Sequence, residues 1–284
     1  MSPILLLLAF LLVFVAAAVH YLVTARPEAQ GPIPTKIDRT GETRPVRASL
    51  ESFVRSLSAA VSFGAILGLL IGGIGSRLAM RLLFLTSADS VKGSVSDDGF
   101  VIGQFNLLDT LNLISFGTLI GVFGALIYLL IRRWLPKDRP LRLITTTALA
   151  AVMVGAAIVH PEGVDFTVLG PLWLAITLFL VIPGLFGALI ARFVDRADQP
   201  DSWFQRRRLV VATSPLILLL FPLALIPLAV PIGITLLGRW AAVRNPRLIQ
   251  LWESDQFQWA GRITIVGIVA LASVALINDV RALA

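Results

Sequence analysis

Two arginines, Arg77 and Arg81, interrupt the apolar stretch GGIGSRLAMRLLFL at 72–85. A guanidinium carries a rigid fork of donors that grips carboxylate or phosphate through two parallel bonds, so two of them one helical turn apart make an anion clamp. The carboxylates available to answer them are Asp109, Glu162 and Asp165. The structural reading is an ion-pair cluster between helix ends, with lipid phosphate sharing the charge; the functional one is an outer vestibule for an anionic headgroup or solute. The first carries more weight, because charged pairs at the ends of membrane helices are commonly structural.

The loop HPEGVDFTVLGP offers a second constellation. His160, Glu162 and Asp165 are metal-type ligands within six residues, and imidazole with carboxylate suits zinc or another divalent ion. The spacing matches no zincin pattern, and the chain's other histidine, His20, belongs to a distant segment. A polar loop explains the three better, with Asp165 as cap of the helix that follows, and neither metal nor cofactor is expected. Asp97 and Asp98 resemble the start of an EF-hand only superficially, since the later oxygen ligands and final glutamate are missing. Asp98-Gly99 instead reads as the turn of a small β-hairpin. No P-loop, nucleophile elbow or HExxH motif is present, so nothing points to an enzyme.

The elements that must hold these residues follow from composition. Of 284 residues 57% are hydrophobic and 14% charged, with no cysteine, and the mean hydropathy is +0.86. Apolar runs long enough to cross a bilayer make this a polytopic all-α membrane bundle of about 6–8 transmembrane elements. The pI near 10.9 does not signal nucleic-acid binding, because the basic residues flank apolar spans as the positive-inside rule requires. The bilayer is the expected partner, with a membrane protein or a second copy as a further one.

The expected threading begins with a signal-anchor helix over 1–25, with the N-terminus outside. A flexible basic cytoplasmic linker over 26–54 follows, and the bundle occupies 55–284. Spans run from Arg55 to about Ser76, Leu111 to Ile131, Leu143 to Val159, and Val168 to Ala191. The inner segments 25–55, 132–142 and 192–208 hold six, five and five basic residues, whereas the outer loops 86–109 and 160–167 hold Lys92 against six acids. This asymmetry fits a bacterial plasma membrane with the linker inside. Arg77 follows Arg55 by 22 residues, about 33 Å of helix at about 1.5 Å per residue, which sets it at the outer headgroups of a core about 30 Å thick. Leu209–Gly238 carries Pro215, Pro222, Pro227 and Pro231, and reads either as one kinked span or as a hairpin. The charge rule favours the hairpin, with 239–261 along the inner surface and Arg262–Asn278 as the last span.

Gly64, Gly68 and Gly72 recur at four-residue spacing, and Gly117 and Gly121 do the same in the next span. Small residues one turn apart let helices approach closely in lipid, within a chain or between two copies. GVFGALI at 121–127 recurs as GLFGALI at 184–190, which fits either a duplicated hairpin or common membrane composition.

GSRLAMR, DDGFVIGQF and VDFTVLGPLWLAI together resemble uncharacterised multi-pass membrane proteins of high-GC Gram-positive bacteria, over about residues 60–190. The resemblance implies a multi-pass architecture and no activity. Two functions of different class remain. One is a non-catalytic component that binds a partner protein or lipid; the other is a channel or transporter for a small anionic solute entering past Arg77 and Arg81. The spans hold no central Asp or Glu, which weakens ion-coupled transport.

Overall fold

A computed structural model of the chain describes residues 46–89, 93, 95, 106–216 and 254–284. Among these residues the backbone is helical with connecting turns, and no strand occurs. Helix α1 (Val46–Leu67), a π-helical stretch (Gly68–Gly75) and α2 (Ser76–Thr86) run on as one rod. There follow α3 (Leu107–Ile131), α4 (Arg139–Ile158), the short α5 (Val164–Thr167) and α6 (Leu172–Ala197). Short α7 (Trp203–Arg206) and α8 (Leu209–Ala212) come next, and the last described helix is α9 (Asp255–Leu283).

Five stretches are long and apolar enough to cross a membrane: Glu51–Thr86, Leu107–Ile131, Arg139–Ile158, Leu172–Ala197 and Asp255–Leu283. Their outward faces are apolar, with Leu271 74%, Leu108 69% and Phe116 61% exposed. A surface of that kind requires a non-aqueous surrounding, as a membrane protein has.

Several boundaries differ from those expected. The first rod begins at Val46, so the last part of the 26–54 linker is helical, and it continues past Ser76 to Thr86, so Arg77 and Arg81 lie within a helix. Helix α6 extends beyond Ala191 to Ala197 because ARFVDRA contains no breaker before Pro200. Helix α9 starts at Asp255, inside the expected interfacial segment 239–261 and before Arg262, because Ser254 caps it by accepting from Phe257 N–H at 3.2 Å. Asp165 does not cap α6: it sits in α5, and Pro171 occupies the N-cap. The N-terminal span, the Asp98-Gly99 hairpin and most of the proline-rich stretch lie outside the described residues.

Capping fixes where the other helices begin. Asn106 accepts from Leu108 N–H at 3.0 Å, and Asp138 accepts from Leu141 N–H at 3.2 Å with Pro140 in the first turn of α4. These starts set alternating helix directions and give the bundle two chemically distinct ends. One, the basic end, gathers the start of α1, Arg132–Arg142 and the turn after α6. The far end gathers Thr86, the start of α3 and the connector 159–171, where Leu83, Val159, Phe166, Leu169 and Ile176 share one core cluster.

Helix α9 crosses from the basic end to the far end. Near its start Phe257 lies 6.0 Å from the Trp134 ring and 5.6 Å from the Arg133 guanidinium, while Leu276 and Val280 join the far-end cluster. Ser202 and Ser254, on either side of 217–253, therefore both stand at the basic end.

Two helix pairs meet at backbone distance. A methyl placed on Gly64 would lie 2.7 Å from Gly121 O and 2.8 Å from Val122 Cα; one on Gly117 would lie 2.6 Å from Gly73 N and 2.8 Å from Gly72 C. The π-helical stretch makes this seam long. At about 3.6 residues per turn, a four-residue step drifts about 40° around an α-helix. The wider i→i+5 turn offsets that drift, and it brings Gly73 to α3 beside Gly72. In the second pair Gly187 meets Ala150 Cβ and the backbone of Thr146 on α4. The recurring GxFGALI segments are thus used differently: Gly121 faces α1, Gly124 faces the Phe186 ring, and Gly184 and Gly187 both face α4.

Candidate functional site at the basic end of the bundle

The far-end residues singled out above come from three elements: Arg77 and Arg81 from α2, Asp109 from α3, and His160, Glu162 and Asp165 from the connector after α4. On α2, Arg77 buries its Nε and Nη2 atoms, whereas Arg81 is exposed with its guanidinium 5.1 Å above the Phe84 ring. A four-residue step leaves the two about 40° apart around the helix, enough to separate a covered position from an open one. Asp109 lies in the first turn of α3. On the connector, His160 and Glu162 are exposed and Asp165 is buried. The His160 imidazole bonds Ile158 O through Nδ1 at 2.7 Å and meets the Phe166 ring edge-on at 6.5 Å. Among the described residues no three His, Asp or Glu side chains gather as a metal site. What the far end does hold is a latch: Thr86 Oγ1 donates to Gly170 O at 2.8 Å, and Gly170 N–H donates to Ser87 Oγ at 2.9 Å.

Ion pairs and hydrogen bonds between helices also gather at the basic end. The extended C-terminal turns of α6 carry Asp195 and Asp198, three residues apart and therefore on neighbouring lines of one face. Asp195 accepts from Tyr128 Oη at 2.7 Å and from Arg142 Nη1 at 2.5 Å, which joins α3, α4 and α6. Arg142 also donates from Nε to Pro136 O at 2.7 Å and so braces the α3–α4 turn. Its ion pair is well covered, with side-chain exposures of 17% and 23%.

Asp198 forms a second junction. It pairs with Arg132 Nη1 and accepts from Ser56 Oγ at 2.6 Å, joining α1, the end of α3 and the end of α6. Beside it, Arg55 Nη1 donates to Phe204 O at 2.5 Å and to Arg207 O at 2.9 Å, and Ser58 Oγ donates to Ala212 O at 2.5 Å. These bonds hold the 198–212 turn against α1. Phe63, stacked on Phe193 at 5.3 Å and tilted against Phe204 at 5.8 Å, supplies the apolar floor.

Between these elements lies an open recess of about 450 Å3, lined by Ser52, Ser56, Arg132, Asp198, Pro200 and Gln205. Ser52 and Ser56 reach it because they sit four apart on α1. Trp203, Arg206, Arg207 and Arg208 stand exposed on the same turn. The charges of Arg132 and Asp198 are still 32% and 28% exposed, so the recess presents an ion pair to a visitor.

The sequence expectations placed no site residue here, since they counted 192–208 as an inner basic segment. The available signal was the pattern RFVDRADQPD, in which Asp195 and Asp198 stand three residues apart on one side of a helix and Arg196 points away from both. Compared with family models, curated proteins and solved structures, the chain matches none.

Proposed function

We propose that this chain is a multi-pass plasma-membrane protein whose basic end faces the cytoplasm, and that it is a non-catalytic component holding lipid or a partner protein at that end. The observation that carries this reading is the mid-bundle packing. Helix α1 with its π-helical continuation touches α3 through Gly64, Gly68, Gly117 and Gly121 at backbone distance, as α4 and α6 touch at Gly187. Backbones this close leave no width for a solute between the paired helices. At the basic end, the Arg142–Asp195 and Arg132–Asp198 pairs, with the Ser56–Asp198 bond, tie α1, α3, α4 and α6 to one another. Such a body suits a rigid platform better than alternating access, which needs one half to rock against the other.

The test is reconstitution of the full chain into proteoliposomes loaded with chloride, phosphate and a fluorescent organic anion. The expected result is no leak or uptake above empty vesicles, with lipid or protein co-purifying from mild detergent. Anion flux that disappears in Arg77→Ala and Arg81→Ala variants that still fold would refute the reading in favour of an anion channel or transporter.

A further inference from the structure

The geometry points to the Ser52–Arg132–Asp198–Gln205 recess as a binding site for a phosphoethanolamine headgroup, a phosphate with a primary ammonium two carbons away. The inference deepens the reading above by naming the class of lipid held.

Charge placement carries it. Asp198 is the C-cap of α6 and Arg132 the C-cap of α3, so two long helices end at this recess. Helix C-termini bring carbonyls lacking intrahelical partners and a partial negative charge. A cation there is favoured; a carboxylate is not. Asp198 nevertheless occupies such an end, and Arg132 offsets it from one side only, because the carboxylate remains part-exposed to the recess. A primary ammonium adds a second cation and three N–H donors, which suit the part-exposed carboxylate. Of the other lining groups, Arg132, the Ser52 hydroxyl and the Gln205 amide can donate to phosphate oxygens, and exposed Arg206 and Arg207 raise the local anion concentration. The volume, about 450 Å3, falls within the range of small-molecule pockets, about 300–1,000 Å3. Exposed Trp203 on the same turn marks the headgroup level, where indole settles.

This arrangement discriminates among headgroups. Choline keeps the positive charge but offers no N–H, and glycerol offers hydroxyls without charge, so both should bind less well than ethanolamine.

The full chain, purified in mild detergent, is incubated with vesicles of dioleoyl phosphatidylethanolamine, phosphatidylcholine or phosphatidylglycerol. Retained lipid is then counted by native mass spectrometry. Preferential retention of phosphatidylethanolamine is expected, and Asp198→Asn should lower it about tenfold, the loss of one charge-assisted hydrogen bond. Ser52→Leu fills the recess from α1 without touching the ion pair. It should abolish the preference at unchanged melting temperature, and it decides the matter alone if Asp198→Asn does not fold. Equal or greater retention of phosphatidylglycerol, or a Ser52→Leu variant that retains phosphatidylethanolamine like the parent, overturns the inference. A lipid source is supported if millimolar soluble O-phosphoethanolamine leaves the retained lipid in place. Binding of the soluble compound without retention of the lipid overturns that source. Anion flux in the same vesicles would refute the non-transporting reading alone, leaving the headgroup comparison to stand or fall by itself.

Discussion

Replacing Gly64 by alanine tests the central seam of the bundle directly. The new methyl would lie 2.7 Å from Gly121 O, 2.8 Å from Val122 Cα and 2.8 Å from Ala125 Cβ. Ordinary van der Waals contact begins near 3.4 Å, so the worst overlap is 3.4 − 2.7 = 0.7 Å. Two of the three obstructing atoms are backbone, which cannot swing aside as a rotamer would. Helices α1 and α3 must therefore separate by several tenths of an ångström along a seam that also includes Gly68, Gly117 and Gly121. Overpacking of this kind costs about 1–3 kcal/mol, against a gain of at most about 1 kcal/mol from the better helix propensity of alanine. The net expectation is a loss of about 1–2 kcal/mol, roughly a fivefold to thirtyfold fall in the folding equilibrium constant. Gly267 on α9 is the matched control, since a methyl there meets nothing within 4 Å. Reversible unfolding in mixed micelles, followed by near-ultraviolet circular dichroism, measures both variants. If Gly64→Ala is as stable as Gly267→Ala, the backbone-distance seam is wrong, and with it the claim that no solute passes between α1 and α3.

Other substitutions probe the basic end and the topology. Asp195→Ala leaves Arg142 largely covered and removes the acceptor of Tyr128; it should cost about 2–3 kcal/mol, below the value for a fully buried pair because both side chains keep some water, and an unchanged denaturation midpoint would refute the junction. Asp201→Ala breaks an ion pair whose side chains are 62% and 47% exposed, and should shift stability by less than about 0.5 kcal/mol in the same assay. The cysteine-free chain suits accessibility labelling: Ser202→Cys and Ser254→Cys should react with a membrane-impermeant maleimide from one side only, the same for both. Labelling from opposite sides would break the direction assigned to α9.

Much of the bundle was legible because bilayer physics writes it into local sequence. A long apolar run must become a helix, since only a helix satisfies every backbone group within one segment. The cores of 107–131, 139–158 and 172–197 were recognisable on that ground. The ends were less legible. Hydropathy falls at Arg192 and Arg77, but the helices continue through both, because a helix stops at a breaker or a cap rather than at a charge. That difference hid Asp195 and Asp198: with the span ending at Ala191 they fell in a connecting segment, whereas once α6 runs to Ala197 the two carboxylates reach neighbouring helices. The arginine pair was conspicuous in the sequence; only the fold shows that Arg77 has buried guanidinium atoms and Arg81 is exposed.

By itself the sequence determined the class of solvent and the order of the long helices, through run length and the polarity of the connecting segments. It also supplied the small residues that permit close approach. Only the tertiary structure decided which helix each glycine meets, that a π-helical stretch carries the seam on to Gly73, and that two helix ends and α1 converge on Asp198. Those facts depend on contacts between residues far apart in the chain, such as Ser56 with Asp198 or Tyr128 with Asp195. No local pattern encodes them, because a side chain's partner is set by how whole helices rotate and stack.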